Sequence, residues 1–137
     1  MIPTWVRRWV GIPFASRGRD PGKGLDCWGL VRAVLADHWQ VEVPSYDEGY
    51  HTAADSREIA RLVAGELPLA WRPVEGLPKP GDVALLRVRG LACHVGIVVE
   101  AGRLLHTLPG HEAAVDRLDS PLWARRVLGY YRHEALP

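Results

Sequence analysis

Apolar positions along the chain follow a helical period in the first half and a period of two in the second. Trp5, Val6, Trp9 and Val10 fall at helical spacing behind Pro3, which predicts a short amphipathic helix ending at Gly11. A turn-rich run from Ser16 to Gly24 follows. Cys27, Leu30, Val31, Val34 and Leu35 then mark one buried face of a helix that Asp26 can cap and that runs to about Trp39. A second helix is predicted from about Asp55 to Glu66, with Ile59, Leu62 and Val63 facing inward. The stretch Pro68 to Pro80 carries four prolines and reads as a connector. Beyond it, strands are predicted at Val83 to Val88, about His94 to Glu100, Arg103 to Thr107, about Ala113 to Leu118, and Val127 to His133. Helices followed by consecutive antiparallel strands predict one α+β domain over residues 1–137, its N-terminal helices packed on a central antiparallel sheet of about five strands.

Composition narrows the function classes. Hydrophobic residues make up 47% and charged residues 24% of 137, ordinary values for a globular chain. Seventeen Lys and Arg against sixteen Asp and Glu leave a net charge of +1, too little to drive nucleic-acid binding. No apolar run approaches the roughly 18 residues of a membrane span. The first ten residues lack the apolar core and cleavage site of a secretory signal, so synthesis in the cytoplasm without a signal peptide is expected. Cys27 and Cys93 form no C-x-x-C, and His38, His51, His94, His106, His111 and His133 show no H-x-x-x-H pair, so neither a metal nor a cofactor is expected. A disulfide between the two cysteines stays open at this stage.

The chemistry concentrates at Cys27. A helix start presents unpaired N–H groups and a partial positive charge, which favour thiolate over thiol. An imidazole should complete the pair. In the strand from His94 to Glu100, His94, Gly96 and Val98 share one face and Val95, Ile97 and Val99 the other. A turn at Ala101-Gly102 sets His106 roughly opposite Ile97, within one register, so the two histidines approach only diagonally. If the start of the cysteine helix abuts the face carrying His94, thiol and imidazole meet across the seam. Each residue also has a structural reading: free cysteines are usually inert core, and Cys93, facing away from His94, is assigned to packing.

Gly11-Ile12-Pro13-Phe14, Gly18-Arg19-Asp20, Asp26-Cys27-Trp28-Gly29-Leu30-Val31, Pro80-Gly81-Asp82-Val83, His94-Val95-Gly96-Ile97-Val98 and Leu104-Leu105-His106 together resemble the NlpC family of papain-like cell-wall peptidases. The resemblance implies the papain-like NlpC fold and a thiol endopeptidase cutting peptidoglycan stem peptides, typically between D-γ-glutamate and a diamino acid. Cys27 would be the nucleophile, His94 the base and His106 the third, orienting residue, with Asp26, Trp28 and Phe14 around the oxyanion and substrate. Phe14 stands where family members often carry tyrosine, and Ala15-Ser16-Arg17-Gly18 replaces the usual aromatic-Gly-Gly segment. The D-C-W-G-L-V-R form is similar to versions encoded in bacteriophage tail and gene-transfer-agent clusters. That implies tail proteins as partners, a virion-like particle acting in the host periplasm, and Trp5 and Trp9 as a docking surface. The competing readings are a catalytically weak structural tail component, or an amidase or acyltransferase on the same fold. Loop Tyr46 to His51 is a candidate subsite.

Overall fold

The computed structural model describes residues 2–52 and 54–137. A 3-10 helix, Thr4–Arg8, stands where the short N-terminal α-helix was expected. Trp9 is buried and Trp5 stacks on His38, with ring centroids 4.9 Å apart, and meets the edge of Trp39. Trp5 therefore packs against the end of the first long helix and Trp9 joins the core, so the two do not form an exposed docking surface. A short ribbon of β1 (Arg19–Asp20) and β2 (Gly24–Leu25) leads into α1, Cys27–Trp39. The Asp26 side chain accepts from Gly29 N–H and caps α1, while Gln40 closes it in the left-handed conformation.

The second helix, α2, spans Ser56–Ala70 and passes through Pro68. The prolines predict a connector there, yet the helix runs two residues beyond this proline. Its last turn absorbs the missing N–H, and packing of Leu67 and Ala70 on the core carries it. The following residues, Trp71–Pro73, add an unpredicted strand, β3, at the sheet edge, where a proline is tolerated.

The remaining strands are β4 (Val83–Val88), β5 (Leu91–Glu100), β6 (Arg103–His106), β7 (Ala114–Arg117) and β8 (Val127–His133). With β3 they form a six-stranded sheet in the order β3-β8-β4-β5-β6-β7, antiparallel at each pairing, where about five strands were expected. The α+β class holds.

The two sides of the sheet are filled differently. Val83, Leu85, Val95, Ile97, Val99 and Leu105 pack with Leu30, Val31, Val34 and Leu35 of α1. On the opposite side Ala84, Leu86, Val98 and Leu104 pack with Leu118 and Trp123. Among the described residues no helix is long and apolar enough to cross a membrane.

Candidate active site

Two local irregularities set the geometry around His94. Leu86 pairs with His94 but Arg87 with Ala92, so Cys93 is the extra residue of a β-bulge immediately before His94. A bulge bends and twists its strand and so re-aims the side chain that follows. On the other edge of β5, Ile97 pairs with Leu105, and the same register continued sets His106 beside Gly96. A Cβ at Gly96 would lie 2.7 Å from Leu104 and 2.9 Å from the His106 Cβ. Glycine there makes the diagonal approach of the two imidazoles possible.

That approach is direct. His94 Nε2 lies 2.7 Å from His106 Nδ1, and His106 Nε2 lies 2.7 Å from Asp116 Oδ2 on β7. Both rings are buried and Trp123 closes over them, stacked on His94 and edge-on to His106. The chemistry of the chain of three assigns the protons. A carboxylate only accepts, so His106 Nε2 donates to Asp116; its Nδ1 then accepts from His94 Nε2. His94 Nδ1 is left with a free lone pair, the form required of a base. Asp116 went unnoticed in the sequence, because its role needs the β6–β7 register and diagonal reach to be known.

Cys27 occupies the first position of α1. It lines, together with His94, a cavity of about 390 Å³ between α2 and the sheet. Backbone N–H groups of Val95 and Trp28 point at its sulfur, but burial, seconded by the charge of Asp26, pushes its pKa up to about 12. Burial, with His106 beside it, pushes His94 down to about 3. Burial also lowers His106, against the opposing pull of Asp116. These directions reverse the expectation of a thiolate at rest. The helix start does favour the anion, but loss of water outweighs it, and the resting pair is neutral thiol and neutral imidazole.

Among the described residues, no hydrogen bond joins the thiol to the His94 ring. Side-chain alternation sends His94 toward the Trp123 side of the sheet while α1 packs on the Val95 side, so the sulfur meets β5 at the Val95 N–H. Both cysteines are free thiols. Cys93 lies on the wall of the same cavity, its sulfur 3.8 Å from the Val88 carbonyl.

The other expected site residues take distinct places. Asp26 borders the cavity, but its carboxylate is filled: Oδ1 accepts from Gly29 N–H at 2.8 Å and from Arg19 at 2.7 Å, and Oδ2 from Arg17 N–H and the Tyr50 hydroxyl. It anchors the start of α1 and has no donor to offer an oxyanion. Trp28 lines the cavity with its indole N–H bound to the Pro44 carbonyl at 2.7 Å. Phe14 lines the same cavity, and the loop residues Tyr46 and Tyr50 border it as well. Thr107, next to His106, is a further wall residue; its buried Oγ1 has no hydrogen-bond partner among the described residues.

Comparison with known proteins gives a consistent picture. The model of the NlpC/P60 family matches residues 11–132. The chain is 24% identical over 134 residues to a gamma-DL-glutamyl hydrolase of Bacillus subtilis, covering 96% of this chain and 28% of that protein. It is 21% identical over 118 residues to the murein DD-endopeptidase MepS/murein LD-carboxypeptidase of Escherichia coli, covering 86% and 54%. The tail tip assembly protein K of Escherichia phage N15 is 30% identical over 88 residues, covering 64% and 36%. The chain thus spans between about a quarter and a half of the length of these relatives. A solved NLP/P60 protein similar to a lipoprotein, from Staphylococcus aureus, superposes with a TM-score of 0.65 at 21% identity over 92% of this chain and 38% of that one.

Proposed function

This chain belongs to the NlpC/P60 family, and on that premise we propose that it is a cysteine endopeptidase of peptidoglycan stem peptides, acting within a phage-like tail. The observation that carries the reading is the hydrogen-bonded series Asp116, His106, His94, which ends in an unprotonated Nδ1 on the ring that shares a cavity with the Cys27 thiol. Hydrogen bonds between catalytic groups are often long before substrate binds and tighten in the complex.

Because the resting pair is neutral, attack is assisted by a general base. As Cys27 Sγ bonds to the amide carbonyl carbon, its proton passes to His94 Nδ1 and the carbonyl oxygen becomes an oxyanion. Backbone N–H groups at the start of α1 are the donors for that oxyanion; the Asp26 carboxylate only accepts, and it holds the helix start in place. His94 then returns the proton to the departing amine as the C–N bond breaks. Water, deprotonated by the same nitrogen, hydrolyses the thioester and releases acid and thiol. His106 and Asp116 act on the ring, not on the substrate: they fix its tautomer and favour the transient imidazolium.

Peptidoglycan as the substrate class is supported by the relative named as a murein DD-endopeptidase and LD-carboxypeptidase; for the bond, D-γ-glutamyl to a diamino acid, the support is the relative named for gamma-DL-glutamyl hydrolysis. The tail assignment is supported by the tail tip relative. Mass spectrometry of muropeptides digested by the native protein and by Cys27→Ala tests the reading. Stem-peptide cleavage is expected from the native protein and a loss of at least about 10³-fold in the variant. Undiminished cleavage by the variant would contradict the mechanism. No cleavage by either protein would favour a structural tail component, and turnover of non-peptide amides alone an amidase or acyltransferase.

A further inference from the structure

Three carboxylates are buried among the described residues: Asp26, Glu66 and Asp82. Two have a guanidinium. Arg19 lies 2.7 Å from Asp26, and Arg132 lies 2.7 Å from each oxygen of Asp82. Glu66, only 4% exposed, forms no ion pair among the described residues. Its Oε1 accepts from the Tyr46 hydroxyl and its Oε2 from Trp71 Nε1 at 2.8 Å, both neutral donors. A buried carboxylate costs several kcal/mol unless a cation accompanies it. This one faces unfilled volume, because Glu66 lines the same cavity as Cys27.

Its neighbours are aromatic and neutral. Trp28, the residue after the nucleophile, has its ring centroid 6.2 Å from that of Tyr46 and 6.4 Å from that of Trp71. Tyr46 and Trp71 are the two residues that donate to Glu66, so two ring edges hold the carboxylate and Trp28 lies beside both rings on the cavity wall.

We propose that Glu66, with Trp28, Tyr46 and Trp71, forms a subsite for a primary ammonium group on the peptide that Cys27 attacks. The inference rests on the peptidase reading and names a substrate feature for it. Each Glu66 oxygen already holds one neutral donor, which leaves a single lone pair apiece. A compact ammonium can use one of these, whereas the bidentate grip that favours a guanidinium needs both oxygens side by side. A single carboxylate is also too few oxygen ligands for a divalent cation. In a stem peptide the ammonium has two sources, the free α-amine of the first residue or the side-chain amine of the diamino acid.

Three versions of one stem peptide distinguish these: both amines free, the α-amine acetylated, and the side-chain amine acetylated. Steady-state kinetics on the native protein should show kcat/KM falling about tenfold or more, mainly through KM, for the one acetylation that removes the bound charge. Glu66→Gln should lose the same factor on the free peptide and nothing further on that acetylated one. Equal kcat/KM for all three peptides on the native protein, or an equal loss on all three in Glu66→Gln, overturns the subsite. If Glu66→Gln does not fold, the acetylation series on the native protein still decides. Calorimetric binding of the same peptides to Cys27→Ala separates the two readings. Amine-dependent binding without cleavage by the native protein leaves the subsite standing and removes the peptidase; cleavage indifferent to acetylation does the reverse. Neither cleavage nor amine-dependent binding overturns the subsite.

Discussion

The two sides of strand β5 solve opposite problems. On the Trp123 side the packing is tight: His94, His106 and Asp116 are hydrogen-bonded in series beside Trp123, Leu104 and Leu86, although the buried Trp123 Nε1 has no partner among the described residues. On the Val95 side, α1 seals most of the sheet, but α2 leaves about 390 Å³ beside Cys27, bordered by Glu66 and the Thr107 hydroxyl, which among the described residues have no ion pair and no hydrogen-bond partner respectively. The difference teaches how the labour is divided. In the proposed mechanism the packed side holds the His94 ring in one tautomer where it borders the cavity, and the open side supplies the volume a ligand would fill. Orientation of the ring and room for a ligand thus come from different layers that meet at His94.

Acid should break the packed side first, and this is the largest effect expected on stability. The folded-state pKa of His94 is depressed from 6.5 to about 3, and that of His106 is depressed too. The stability these rings contribute is therefore present above pH 6.5. It is lost as pH falls toward the folded pKa, because the unfolded chain takes up protons that the folded one refuses. The slope is about 1.4 kcal/mol per pH unit for each ring held fully neutral. Urea denaturation between pH 7 and 5 should show this decline, and it should flatten in His94→Leu; a level curve in the native protein would mean that the rings are not held neutral.

The smaller effect sharpens the contrast from the open side. Thr107→Val replaces an unpartnered buried hydroxyl with a methyl of the same shape, so the folded protein should gain about 1 kcal/mol in urea denaturation. If that hydroxyl is kept for substrate, kcat/KM on a stem peptide should fall in the same variant. A variant that gains stability and loses no activity would show Thr107 to be an uncorrected packing fault.

Much of this arrangement was readable in local pattern. The Asp26 cap, the apolar face beginning at Cys27 and the alternation around Gly96 are short-range features, and they anticipate α1, β5 and the diagonal pairing of His94 with His106. The readings that failed depend on contacts distant in sequence. Pro68 predicts a helix end, but packing of Leu67 and Ala70 overrides it. The residues Trp71–Pro73 become a strand only because β8, near the far end of the chain, offers an edge. The helix start at Cys27 argues for a thiolate, whereas loss of water at the cavity wall, with Asp26 beside it, raises the thiol's pKa. Asp116 and Glu66 look like ordinary surface acids in the sequence, and their hydrogen-bond partners appear only once β7 lies beside β6 and α2 lies over the cavity.

The most direct test of the account is the protonation of the His94 ring, read by ¹⁵N NMR on imidazole-labelled protein at pH 7. The account predicts a hydrogen on Nε2, directed at His106, and a bare Nδ1; it also predicts that Asp116→Asn, which no longer fixes the relay's polarity, blurs that preference. A His94 ring protonated at Nδ1 in the native protein would leave Cys27 without a base and contradict the mechanism at its first step.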